Sequence, residues 1–210
     1  MSDEVIIHGS APRAVTEKIQ IEGPDLRLST LIAPTHTACI GLLRDRLMSS
    51  LQDFRVMAES MGHQFCMALD EALANAFFHG NLELSSSLKE DGSDTFTKIA
   101  EERQLQSPWK DRSVTVTELA SSFGVWITIR DEGSGFDVAG TLNRPPNPEQ
   151  LLASGRGLLI MKAFCDEVIY NRDGNEVTLV AYPQQNLEVH EFLAHCKTKR
   201  GNAQKTPAES

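Results

Sequence analysis

Hydrophobic positions recur along this chain with two different periods, and the changes of period divide it into elements. Residues 19–33 read as extended structure broken at Gly23-Pro24, with Leu26, Leu28 and Leu31 suiting a strand that buries one side. From Thr35 or Thr37, either able to cap, a helical period places Ile40, Leu43, Leu47 and Leu51 on one face. A second helix is predicted over residues 57–80, with Phe65, Leu69, Ala72, Leu73 and Ala76 as its apolar face. Residues 84–112 break the pattern. They are rich in Ser, Glu, Asp, Lys and Arg and read as an inserted polar segment with a short helix near 97–104. Strands are predicted at 113–119 and 125–130, joined by Ser121-Ser122-Phe123-Gly124. A Gly- and Pro-rich loop covers 131–154, and a helix follows at 157–164. A hairpin then pairs 167–171 with 176–182 through Arg172-Asp173-Gly174-Asn175.

Helices mixed with hairpins predict an α/β (α+β) two-layer sandwich, a mixed and mostly antiparallel sheet with helices packed on one face. The domain is expected over residues 19–183, with the insertion at about 84–112. A flexible segment, 1–18, precedes it and a C-terminal extension, 184–210, follows. Within that extension an amphipathic helix is predicted over 187–197, and 198–210 has the composition of a disordered tail.

Composition narrows the function classes. A chain of 210 residues suits one domain with appended segments, and 40% hydrophobic residues suffice for a core. A formal net charge of -9 argues against a nucleic-acid surface and fits poorly with an anionic membrane. The acidic start lacks the basic region of a signal peptide, and there is no apolar run of about 18 residues. Cys39, Cys66, Cys165 and Cys196 are too scattered for a zinc pair and read as free thiols. A cytoplasmic protein is the expectation.

Three segments carry candidate chemistry. Glu71, Asn75 and His79 are spaced four apart, so they stack as one stripe beside the apolar face of the second helix. Such a stripe suits a solvated helix edge, with His79 at the helix C-terminus and Gly80 as its cap. It equally suits a magnesium site, where Asn75 supplies a hard oxygen and phosphates supply the rest. Glu71 would then act on an attacking hydroxyl. Next, Asp131, Gly133, Gly135 and Phe136 follow directly on a strand. They form either a plain turn or a loop in which a carboxylate accepts an exocyclic amine while glycines admit a ligand. Finally, Gly155, Arg156, Gly157 and Leu158 open a helix, as a simple turn or as an anion site built of free backbone N–H groups. Neither a P-loop nor a dinucleotide-binding Gly-x-Gly-x-x-Gly fingerprint is present.

Taken in order, these segments resemble the N, G1 and G2 boxes of the GHKL (Bergerat-fold) ATPase superfamily. The resemblance covers about residues 19–182 and rests on Glu71-Ala-Leu-Ala-Asn75-Ala-Phe-Phe-His79-Gly80-Asn81 and on the run from Ser154 to Val168. Within the superfamily the chain looks most like the bacterial anti-sigma-factor serine/threonine protein kinases. That likeness implies ATP and Mg²⁺ as cofactors, with Asn75 on the metal, Glu71 as general base and Asp131 on the adenine amine. Arg156 and Arg144 would contact phosphate. It also implies an anti-anti-sigma (STAS-domain) partner as phosphoacceptor, a sigma factor as second partner, and a homodimer. Arg44 and Arg46 on the first helix would face a partner, or else be ordinary surface arginines. His36 and His63 lack the dimerising hairpin of a histidine kinase. A non-catalytic partner-sequestering module and a stand-alone histidine-kinase-like ATPase domain are the alternatives. The insertion departs from the compact pattern and puts the usual partner surface in doubt.

Overall fold

The computed structural model describes residues 4–7, 14–54, 59–89, 94–142 and 156–183. Its sheet has seven strands: β1 (Glu4–Ile7), β2 (Val15–Glu22), β3 (Leu26–Pro34), β4 (Ser113–Ser121), β5 (Gly124–Arg130), β6 (Glu167–Tyr170) and β7 (Glu176–Ala181). They lie in the order β1-β2-β3-β4-β5-β7-β6. Every pairing is antiparallel, so the mixed sheet expected from the sequence is replaced by a purely antiparallel one among the described strands. Short connections explain why: β2–β3 and β4–β5 are joined by tight turns, which only antiparallel neighbours allow.

Strand alternation decides which face is covered. Leu31 and Ala33 of β3, Val114 and Val116 of β4, Ile127 and Ile129 of β5, and Leu179 of β7 are buried. They meet Leu43, Leu47 and Leu51 of α1 (Ala38–Asp53), Phe65, Leu69 and Leu73 of α2 (Glu59–Ala74), and Met161 near the middle of the helix Arg156–Phe164. Each fully buried Val, Leu, Ile, Phe or Met side chain among these contributes roughly 1.5–3 kcal/mol of transfer free energy. Residues of the opposite parity, such as Thr30, Thr117 and Thr128, are half-buried, and Ile32 remains 47% exposed. Helices on one sheet face and threonines on the other give the two layers.

Several elements differ from the sequence reading. The stretch 1–18, expected to be loose, contains β1 and the start of β2. The inward positions of β2 are Val15 and Glu17, and a buried acid hides the apolar alternation a strand normally shows. Glu17 is tolerated there because Arg46 of α1 holds it through two guanidinium nitrogens. Thr37 stands at the N-cap of α1 but makes no capping bond; its hydroxyl donates to Gln104 Oε1 at 3.3 Å. Thr35 donates instead to the carbonyl of Arg112 at 2.7 Å. The second helix is α-helical only to Ala74, and Asn75–Asn81 is π-helical.

The polar insertion is folded. It carries α3 (Thr95–Arg103), flanked by short 3-10 turns, and builds a second hydrophobic cluster. Leu82, Leu84 and Ala100 are buried there with Phe78, Phe96, Ile99 and Trp109 packed around them. Arg103 stacks over Trp109 at 4.6 Å and donates to the carbonyls of Leu82 and Glu83. A short helix, α4 (Val138–Leu142), breaks the predicted loop at its start. The helix Arg156–Phe164, as predicted, is α5. The expected helix at 187–197 and the tail beyond it lie outside the described residues.

A buried charge cluster ties α1 to the sheet. The Glu118 side chain on β4 is 0% exposed, and Arg46 Nη2 approaches its Oε2 at 3.5 Å. Ser29 adds a hydroxyl to the same oxygen at 3.3 Å, and Arg46 also donates to Ser50 at 2.6 Å. Arg46 is therefore committed to the interior and is not available to a partner. Arg44 differs: it pairs with its neighbour Asp45 and, at 3.6 Å, with Asp70 at the surface.

Candidate functional site

A cavity of about 300 Å³ opens between α2, α5 and the β5 end of the sheet, a size suited to a small organic ligand. The last turn of α2 and the π-helical turn after it supply Glu71, Asn75, His79 and Gly80 to one wall. The π-helical turn carries Asn75, His79 and Gly80 along this wall before the chain enters the insertion. Such π-turns concentrate at functional sites. Gly157, Leu158 and Met161 of α5 form the facing wall. Ile129 and Val177 give an apolar floor, and the β6–β7 hairpin adds Tyr170, Gly174 and Glu176.

Asp131 sits where β5 ends. Its residue is 9% exposed, its N–H donates to the carbonyl of Asn175 at 3.0 Å, and its Oδ1 accepts the Gly133 N–H at 2.8 Å. Burial pushes its carboxyl up to about 6, against the opposing effects of the Gly133 amide and the Arg112 charge. The carboxylate rests directly on the backbone of Gly80. A methyl at that position would collide with the Asp131 carboxylate, so only glycine admits the side chain there. Asp131 thus presents a buried, weakly neutralised acceptor beside an apolar slot, which suits a hydrogen-bond donor on a flat ring.

At the other end of the cavity, Glu71 and Asn75 lie against the first turn of α5. A methyl on Gly157 would be 2.7 Å from Glu71 Oε2 and 3.7 Å from Asn75 Nδ2. The first turn of α5 therefore lies beside a carboxylate and an amide, which suits phosphate and a hard cation together. Among the described residues no group of three or more His, Cys, Asp or Glu side chains could hold a metal by itself. A magnesium ion at this place would draw on Asn75 and on phosphate oxygens.

His79 lines the cavity through a ring whose Nδ1 is 2.6 Å from the carbonyl of Leu84. A carbonyl only accepts, so Nδ1 carries the proton. The other side of the His79 ring faces Phe96 of α3, with centroids 6.4 Å apart. Phe136 lines the cavity and meets Tyr170 edge to face, with centroids 5.4 Å apart. Gly135 has φ 71°, and a side chain there would collide with the carbonyl of Asp173.

Most residues singled out in the sequence therefore gather around one space. Gly133 is placed behind Asp131, where its amide supports the carboxylate. Arg156 opens α5 as an exposed residue outside the cavity lining. Gly155 and Arg144 lie outside the described residues. Sequence reasoning did not find Tyr170, Met161 and Val177, because apolar wall residues share the pattern of the core. It gave no role to Asn81 or Asn175, each a polar residue next to a glycine at an element's end.

The profile of the histidine kinase-like ATPase domain family matches residues 33–181. No curated protein matches the chain. The match begins in β3, ends in β7 and so contains every cavity wall described above. The chain belongs to the histidine kinase-like ATPase domain family, a member of the ATP-binding GHKL superfamily.

Proposed function

We propose that this protein is a Mg²⁺-ATP-dependent serine/threonine protein kinase of the anti-sigma type, acting on an STAS-domain partner. The observation that supports this reading is the pairing of Glu71 with Asn75 at the mouth of α5, at the end of the cavity opposite Asp131. ATP bound with its adenine amine on Asp131 supplies the transferable phosphoryl group. Asn75 holds the cation, and the α5 amides hold phosphate. Glu71 takes the proton from the acceptor hydroxyl as its oxygen bonds to phosphorus and ADP departs. Positioning and charge neutralisation do most of the work in such a transfer, so few side chains suffice. A purely ATP-stabilised binding module would have no use for Glu71.

Calorimetry of Mg²⁺-ATP with wild type, Asn75→Ala and Asp131→Asn tests the pocket. Binding by the wild type, strongly reduced in both variants, is expected. No binding by folded wild type would leave the domain as an interaction module. Transfer from γ-labelled ATP to STAS-domain proteins tests the chemistry. The label should be acid-stable, and Glu71→Ala should lower its rate by roughly 10²–10⁴-fold while keeping ATP. An acid-labile label would make the protein a stand-alone histidine-kinase-type subunit instead.

A further inference from the structure

Asn81 is 0% exposed and stands one residue beyond the glycine that makes room for Asp131. Its Oδ1 accepts the N–H of Glu132, the residue after Asp131, at 2.7 Å. Its Nδ2 donates to Thr35 Oγ1 at 2.9 Å, and Thr35 in turn donates to the carbonyl of Arg112 at 2.7 Å. Arg112 closes the ring by donating from Nη1 to the Asn81 carbonyl at 2.6 Å. This ring joins the end of β3, the last residue of the insertion and the loop after β5. None of these groups belongs to the cavity lining.

We propose that Asn81 is a positioning residue for nucleobase recognition: it fixes the peptide after Asp131 and so aims the Asp131 carboxylate. The geometry is two-sided. The Asp131 N–H is held by the Asn175 carbonyl at 3.0 Å, and the next N–H along the chain is held by Asn81. With both amides held, the backbone of Asp131 is fixed at the cavity edge, where the Gly133 N–H orients the carboxylate itself. Removing Asn81 Oδ1 releases one side and leaves a part-buried N–H seeking a new acceptor. The carboxylate then no longer sits where a base amine meets it, although the phosphate end of the cavity is untouched. Asn81 touches no ligand and acts only through Asp131.

This inference rests on the proposed seating of adenine on Asp131, and its readout is the choice between bases. Adenine offers an amine to the carboxylate, whereas the guanine O6 would face it as a second acceptor. The full chain is titrated with ATP and with GTP, as wild type, Asn81→Ala, Asn81→Asp and Thr35→Val. Asn81→Ala should lose about tenfold or more of the ATP-over-GTP preference. Thr35→Val removes the far end of the same ring but keeps the bond to Glu132. It should melt at a lower temperature with its preference intact. Asn81→Asp retains the accepting oxygen and should also keep the preference, which serves as the test if Asn81→Ala does not fold. A folded Asn81→Ala with wild-type preference overturns the proposal, as does an Asn81→Asp that has lost it. Parallel loss of ATP and GTP affinity in Asn81→Ala would make the residue merely structural. Wild type that shows no preference for ATP would instead overturn the seating of adenine on Asp131.

Discussion

Glu118 and Asp131 are both buried against this sheet, and their surroundings differ in kind. Glu118 on β4 is flanked by Ser29 of β3 and closed over by α1, where Arg46 and Ser50 crowd it and Arg46 also clasps Glu17. Asp131 at the end of β5 has a backbone amide for a partner and a cavity in front. Burial raises the pKa of both. The first is answered by a guanidinium of the same chain, so its charge serves the fold. The second is answered by almost nothing, and its charge waits for a donor from outside. A buried acid without a counter-charge beside an open space is a mark of a binding site, and one with a counter-charge is a mark of architecture.

Arg46→Ala would break the comparison most severely. It strands Glu17 and Glu118 in the interior, and a loss of about 3–5 kcal/mol in denaturant unfolding is expected. A loss below about 1 kcal/mol would mean that the two acids do not depend on this cation.

Asp131→Asn should move stability in the other direction. A carboxyl raised to about 6 from 3.8 favours the folded state when protonated; that advantage is complete below pH 3.8 and is lost as pH rises through 6. At neutral pH the wild type therefore carries a penalty that the amide lacks. The Asp131→Asn variant should gain about 1–3 kcal/mol at about pH 7.5, with the gain fading by about pH 4. Equal stability at neutral pH would show that the carboxylate is better solvated than its burial indicates.

The same titration should appear in ligand binding. ATP affinity is expected to fall as pH drops through about 6, and the Asp131→Asn variant should show a flat profile in that range. A matching fall in the variant would assign the pH dependence to the phosphates. The smallest effect belongs to Arg44→Ala. Its ion pairs with Asp45 and Asp70 are at the surface, and a change under about 1 kcal/mol is expected. Arg44 and Arg46 are two residues apart, so the pair measures burial against chemistry held constant.

The ends of the cavity were legible because short segments encode them. Glu71, Asn75 and His79 share a helix, and Asp131 through Phe136 share a loop, so spacing alone brings each group together. What holds the groups in place was not legible. Asn81 and Glu132 are 51 residues apart, and nothing local marks either as the other's partner. The start of β2 was hidden for a related reason, since Glu17 looks like a surface residue until Arg46 is seen beneath it. The insertion read as polar because its surface outnumbers its small core. Phe96, Ile99 and Trp109 belong to that core, which is completed by Leu82 and Phe78 from before the insertion.

The contact between the loop after β5 and the β6–β7 turn has a bearing on how such pockets change over generations. A Cβ on Gly174 would strike the Phe136 carbonyl, and one on Gly135 would strike the Asp173 carbonyl on the other side of the seam. Each turn is the mould of the other. A lineage could exchange Phe136 or Tyr170 and retune what the cavity accepts, one residue at a time. A side chain added to either turn alone would meet the backbone of the other. The frame around the cavity is thus a matched pair, while Phe136 and Tyr170 present the side chains that face what enters.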